Sequence, residues 1–86
     1  MLDGWFRMAV ETLPFLEMVG RMLRAAGRRV GDADEFELAE LLALQGELDA
    51  AIRTAIQGQR ATGRSWTAIA TATGTTRQGA RQRWGK

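Results

Sequence analysis

The strongest constraint on the fold of this chain is a glycine set between two capping residues near the C-terminus. Residues 65–84 read SWTAIATATGTTRQGARQRW. Ser65 can cap a first helix, because its hydroxyl can accept a hydrogen bond from an unpaired amide in the opening turn. Trp66, Ile69 and Ala70 then fall at the i, i+3, i+4 spacing of one buried helical face. Gly74 stands where a helix that must stop and turn needs a residue tolerating a left-handed backbone. Thr76 is a second capping residue and opens RQGARQRW, in which Ala80 and Trp84, four apart, share one side. The spacing predicts two short helices about a tight turn, the layout of a helix-turn-helix.

Upstream, the periodicity is helical throughout. Phe15, Leu16, Val19, Met22, Leu23 and Ala26 form a stripe. Pro14 is tolerated only near the start of a helix, so the pattern predicts Thr12 as the cap and residues 13–26 as the helix body. Gly27 is expected to end it, with Arg28 and Arg29 complementing the helix dipole. Trp5, Phe6 and residues 8–10 read as a shorter preceding helix, with Trp5 a core or interface residue. A second unit opens at GDADEFE, where Asp34 and Glu37 approximate a capping box. From Glu35 to about Arg60, at about 100° per residue, Leu38, Leu41, Leu42, Leu48, Ile52, Ala55 and Ile56 share one arc, which predicts a long amphipathic helix with one dominant buried face. Asp49 falls inside that arc, one turn from Arg53, a spacing at which an ion pair is worth only a few tenths of a kcal/mol. Gly46 has no evident reason in the sequence. Thr62 and Gly63 close the helix. The fold class is all-α: one domain over residues 1–86, made of an N-terminal helical segment (1–31), a long amphipathic helix (32–63) and the helix-turn-helix (64–86).

Composition narrows the chemistry. The 86 residues include no Cys and no His, so the usual zinc ligand sets, Cys-His nucleophiles and Ser-His-Asp triads cannot be assembled. The expectation is a protein that is not an enzyme and uses no cofactor and no metal. The apolar runs are far shorter than the roughly 20 residues a membrane span needs, and the start lacks a signal-peptide layout. A cytoplasmic, nucleoid-associated protein without a membrane partner is expected. Charge is segregated along the chain. Residues 32–49 hold seven acids and no base, whereas residues 50–86 hold seven bases and no acid. A segment of one sign attracts a polyanion and releases it as salt rises.

These observations point to double-stranded DNA as the partner. On the last helix, Gln78, Gly79, Arg81 and Gln82 are read as projecting away from Ala80 and Trp84. Arg pairs bidentately with guanine and Gln with adenine in the major groove. Thr76 and Arg77 lie at the helix N-terminus, the end that enters the groove first in this motif. Base readout is therefore expected from Thr76, Arg77, Gln78, Arg81 and Gln82. Arg60, Arg64, Ser65, Arg83 and Lys86 flank that face and are assigned to phosphates. The plainer alternatives are that each Arg is only solvated surface and that Trp66 and Trp84 are core anchors, the latter being the stronger reading for both tryptophans.

The stretch GRSWTAIATATGTTRQGARQRWG resembles a group of small helix-turn-helix proteins common in actinobacteria and their phages and mobile elements. Members place a long helix ending in Arg-x-x-Gly before a Ser-Trp motif, as Arg60 to Gly63 followed by Arg64, Ser65 and Trp66 do here. TRQGARQRW is similar to the group's recognition helix, and the resemblance assigns DNA contacts to Thr76, Arg77, Gln78, Arg81 and Gln82. The similarity covers about residues 50–86. The chain departs from the group at three places, with Thr73 and Thr75 where Leu and Val are usual and Gly79 where Ala is usual. A hydroxyl in place of a methyl must find a partner or cost about 1 to 3 kcal/mol.

The reading favoured by residues and resemblance together is a sequence-specific DNA-binding protein, a small transcriptional regulator acting as a homodimer through its N-terminal helices. Natural motifs of this kind usually act in pairs about one DNA turn apart. A helical protein-interaction module without DNA binding is the chief alternative. A detached recombinase domain lacks the paired carboxylates it would need, and membrane-surface binding by residues 1–29 is interrupted by Glu11 and Glu17.

Overall fold

The computed structural model describes residues 11–85 and is all-helical. Four helices follow in order among the described residues: α1 (Thr12–Gly31), α2 (Phe36–Ala61), α3 (Trp66–Thr73) and α4 (Arg77–Trp84). The expected helix around Trp5, Phe6 and residues 8–10, and the expected phosphate contact of Lys86, lie outside the described residues. The chain divides into two compact units, one ending at Ala43 and the next beginning at Leu44, so the division falls within α2 where the sequence pattern implies one domain.

In the first unit, α1 begins at Thr12, with Glu11 preceding it and no side-chain cap. Thr12 is therefore a helical residue and not the expected cap. Pro14 sits in the first turn, where its missing N–H leaves no bond unmade. The helix also runs on through Gly27 to Gly31, which places Arg28 and Arg29 inside its last turn. A mid-helix Gly costs about 1 kcal/mol, too little to stop a run whose next two residues, Arg28 and Arg29, are good helix formers. No residue of α1 is buried. Val19 and Ala26 are half-buried, while Phe15, Leu16, Met22 and Leu23 are exposed. At the start of α2 the backbone carbonyls of Asp34 and Glu35 accept hydrogen bonds from the Glu37 and Leu38 amides.

The expected buried face of α2 needs correction. Of its seven apolar residues only Ile56 is buried, with Leu41 and Ile52 half-buried, while Leu38, Leu42, Leu48 and Ala55 are exposed. Amphipathic spacing states which side is apolar; it does not supply a surface to cover that side.

The second unit has a small core. Ile56 of α2, Ile69 and Ala70 of α3, and Ala80 of α4 are buried together, with Ile52, Trp66 and Trp84 packed against them. Ala80 is fully buried, so α3 and α4 approach closely where its small side chain allows. The chain is brought there by two left-handed glycines. Gly63, at φ 96°, lets α2 close with the Gly63 amide donating to the Arg60 carbonyl and the Arg64 amide to the Gln59 carbonyl. That pair of bonds is a Schellman motif. Gly74, at φ 73°, closes α3, and its amide and that of Thr75 both donate to the Ala70 carbonyl.

Candidate nucleic-acid interface

Two side-chain caps set the axes of α3 and α4. Ser65 Oγ accepts from the Ala68 amide at 3.0 Å, and Thr76 Oγ1 accepts from the Gly79 amide at 3.0 Å. Both residues are nucleic-acid contacts in the sequence reading, and in both the hydroxyl oxygen accepts the helix amide while its O–H remains a donor. Each satisfies an amide that would otherwise lack a partner. Thr73 Oγ1 donates to the Ile69 carbonyl at 2.8 Å, so its hydroxyl has the partner it needs.

On α4, Ala80 and Trp84 turn inward. Thr76, Arg77, Gln78, Arg81, Gln82 and Arg83 are all exposed, with Gly79 half-buried. Helical geometry puts Gln78 and Gln82 opposite the buried side, on the face an external partner would meet. Arg81 is displaced from them. It lines a groove with Ile56, Gln57, Arg60 and Ala61 of α2, Trp66 of α3, and Trp84 and Gly85. The expectation that Arg81 shares the outward face with the glutamines is corrected by this placement. At 100° per residue Arg81 lies only 100° from Ala80, which is a flank and not the far side.

Three further arginines, Arg60, Arg64 and Arg83, are held by neighbours. The Arg60 guanidinium lies over the Trp66 ring, 4.9 Å from its centroid, and its Nη1 donates to the Arg64 carbonyl at 2.8 Å. Arg64 Nε donates to Gln59 Oε1 at 3.0 Å. Gln59 thus positions a cation across the turn, a role that helical spacing could not reveal because Gly63 breaks the periodicity between them. The Arg83 guanidinium lies 5.2 Å from the Trp84 ring centroid. Asp49, Ile52, Arg53, Arg83 and Trp84 line a second shallow groove. Trp66 and Trp84 are half-buried, so each serves the core with one side of its ring system and the surface with another. Cation–π contacts of this kind are worth about 0.5 to 1 kcal/mol when exposed.

Among the described residues no group of acidic side chains is arranged to hold a metal ion, and no helix is long and apolar enough to cross a membrane. Comparison with protein-family models, with curated proteins and with solved structures yields no match.

Proposed function

We propose that this chain binds double-stranded DNA in a sequence-dependent manner, using residues 64–86 as a helix-turn-helix with α4 as the recognition helix. The single observation that carries the reading is that α4 anchors itself through Ala80 and Trp84 and leaves an exposed face of Arg and Gln side chains in a segment that holds no acid from residue 50 onward. Gln78 and Gln82, with Arg77 at the helix N-terminus, are the base-reading groups in this proposal. Arg60, Arg64 and Arg83, already braced by neighbours, meet phosphates with little further ordering cost. The role is that of a small transcriptional regulator.

The same proposal includes a homodimer. Leu13, Phe15, Leu16 and Met22 of α1 and Leu38, Leu42 and Leu48 of α2 each expose half or more of their surface. A second copy offers the same apolar surface, and two motifs read a longer site than one. The alternative of a protein-interaction module draws on this same exposed apolar surface. Selection of bound duplexes from a random pool, followed by sequencing, tests the reading. Recovery of a two-fold symmetric site supports both parts, and absence of any duplex binding at low salt favours the interaction module.

A further inference from the structure

Arg60 and Arg81 both contribute to the walls of one groove, and none of the other residues that line it carries a negative charge: Ile56, Gln57, Ala61, Trp66, Trp84 and Gly85 complete it. Like charges on a shared surface repel, and that repulsion is relieved most directly by an anion between them. The Arg60 guanidinium lies over the Trp66 ring and its Nη1 donates to the Arg64 carbonyl. A guanidinium carries five N–H donors, so Arg60 keeps donor capacity beyond the bond to Arg64. Gln57 adds an amide. Trp66 and Trp84 supply the apolar part of the walls beside the two arginines.

We infer that this groove is a phosphate site, in which Arg60 and Arg81 together hold one phosphate group, with Trp66 as the platform that orients Arg60. Arg81 is then a phosphate-binding residue and not a base reader. The assignment rests on the DNA-binding proposal only for the source of the phosphate, a DNA backbone phosphodiester as opposed to free phosphate.

The test uses the full chain. Inorganic phosphate, at ionic strength matched with chloride, is titrated while the Arg60 and Arg81 Nε–H and the Trp66 and Trp84 indole N–H resonances are followed. In parallel, affinity for a mixed-sequence duplex is measured against salt for wild type, Arg81→Gln and Arg81→Lys. The expected result is that the four resonances move together and saturate, that Arg81→Gln abolishes the movement, and that it lowers the slope of log affinity against log salt by about 0.9 for every duplex alike. Arg81→Lys should retain most of the slope. Movement with phosphate but no duplex binding keeps the groove, assigns free phosphate as its ligand and removes the DNA reading. A reduced slope without movement in phosphate keeps the groove with DNA as its sole source. An unchanged slope with altered base preference overturns the assignment and returns Arg81 to base readout. Unmoved resonances with an unchanged slope overturn it outright and leave the DNA reading standing on Gln78 and Gln82.

Discussion

Gly79 shows how one position can be explained only by its neighbours' atoms. A Cβ built there would stand 2.9 Å from Thr75 Oγ1 and 3.0 Å from Thr76 Oγ1. The Thr76 hydroxyl cannot move freely, because it caps α4 by accepting from the Gly79 amide. Replacement by Ala would gain about 1 kcal/mol of helix propensity while disturbing a cap worth about the same. Gly79→Ala is therefore expected to be neutral or destabilising, not stabilising. Adding Thr75→Ala removes one of the two obstacles, so the pair should show a coupling of about 0.5 to 1 kcal/mol in denaturant unfolding. Strict additivity would dismiss the steric account. Gly74 behaves differently. Its φ of 73° is left-handed and no atom lies within 4 Å of an added Cβ, so Gly74→Ala should cost about 1 kcal/mol through backbone strain alone. Thermal unfolding of the Gly74→Ala and Gly74→Asn variants checks this, with Asn expected to cost less. The need for Gly at position 74 is legible in the sequence from its place between two caps. The need at 79 is not, since a Thr hydroxyl three or four residues away has no sequence signature as an obstacle.

Among the helices, α2 is the one whose spacing and burial diverge. Its apolar arc predicts a continuous buried face, yet only the end near Ile56 is covered, by Ile69, Ala70 and Ala80. Leu42 remains 64% exposed. If a second copy covers that surface, Leu16→Glu and Leu42→Glu should shift the chain to monomer in sedimentation velocity and weaken duplex binding, while the Trp66 and Trp84 environments stay unchanged by fluorescence. A wild-type chain already monomeric at micromolar concentration would remove this prediction's premise. Gly46 and its surroundings give a separate test of α2. No atom lies within 4 Å of a Cβ built there, so Gly46→Ala should stabilise the protein by up to about 1 kcal/mol through helix propensity. A destabilised variant would indicate a contact absent from the isolated chain. The helices themselves, including α3 and α4, are largely legible in the sequence, because capping and periodicity are local. The end of α1 lies beyond the Gly27 that the sequence offers as a terminator, because a single Gly is outweighed by the hydrogen bonds on both sides of it.

For the molecule as a whole, the size of the core sets the behaviour. Among the described residues the buried set of Ile56, Ile69, Ala70 and Ala80 contains two large side chains, and small domains bury a smaller share of their surface than large ones. Ile69→Ala should cost about 2 to 5 kcal/mol, enough to unfold most of a domain of marginal stability. Loss of helicity by circular dichroism together with a red-shifted tryptophan emission would register it. If dimerisation supplies the missing burial, the wild-type Tm should rise with protein concentration, as mass action requires for an associating native state. A Tm independent of concentration would argue that the exposed apolar faces contribute nothing to stability.

The sequence by itself determined the helical class, the two caps at Ser65 and Thr76, the turn at Gly74 and the absence of any acid from residue 50 onward. Each of these depends on neighbours a few residues apart. Only the tertiary structure decided which apolar residues are covered, that Arg81 lies beside Arg60 and two tryptophans in place of the outward face with Gln78 and Gln82, and that Gln59 holds Arg64. Those relations join separate helices across the turns at Gly63 and Gly74. A periodicity that ends at each turn carries no information about the angle at which the next helix departs.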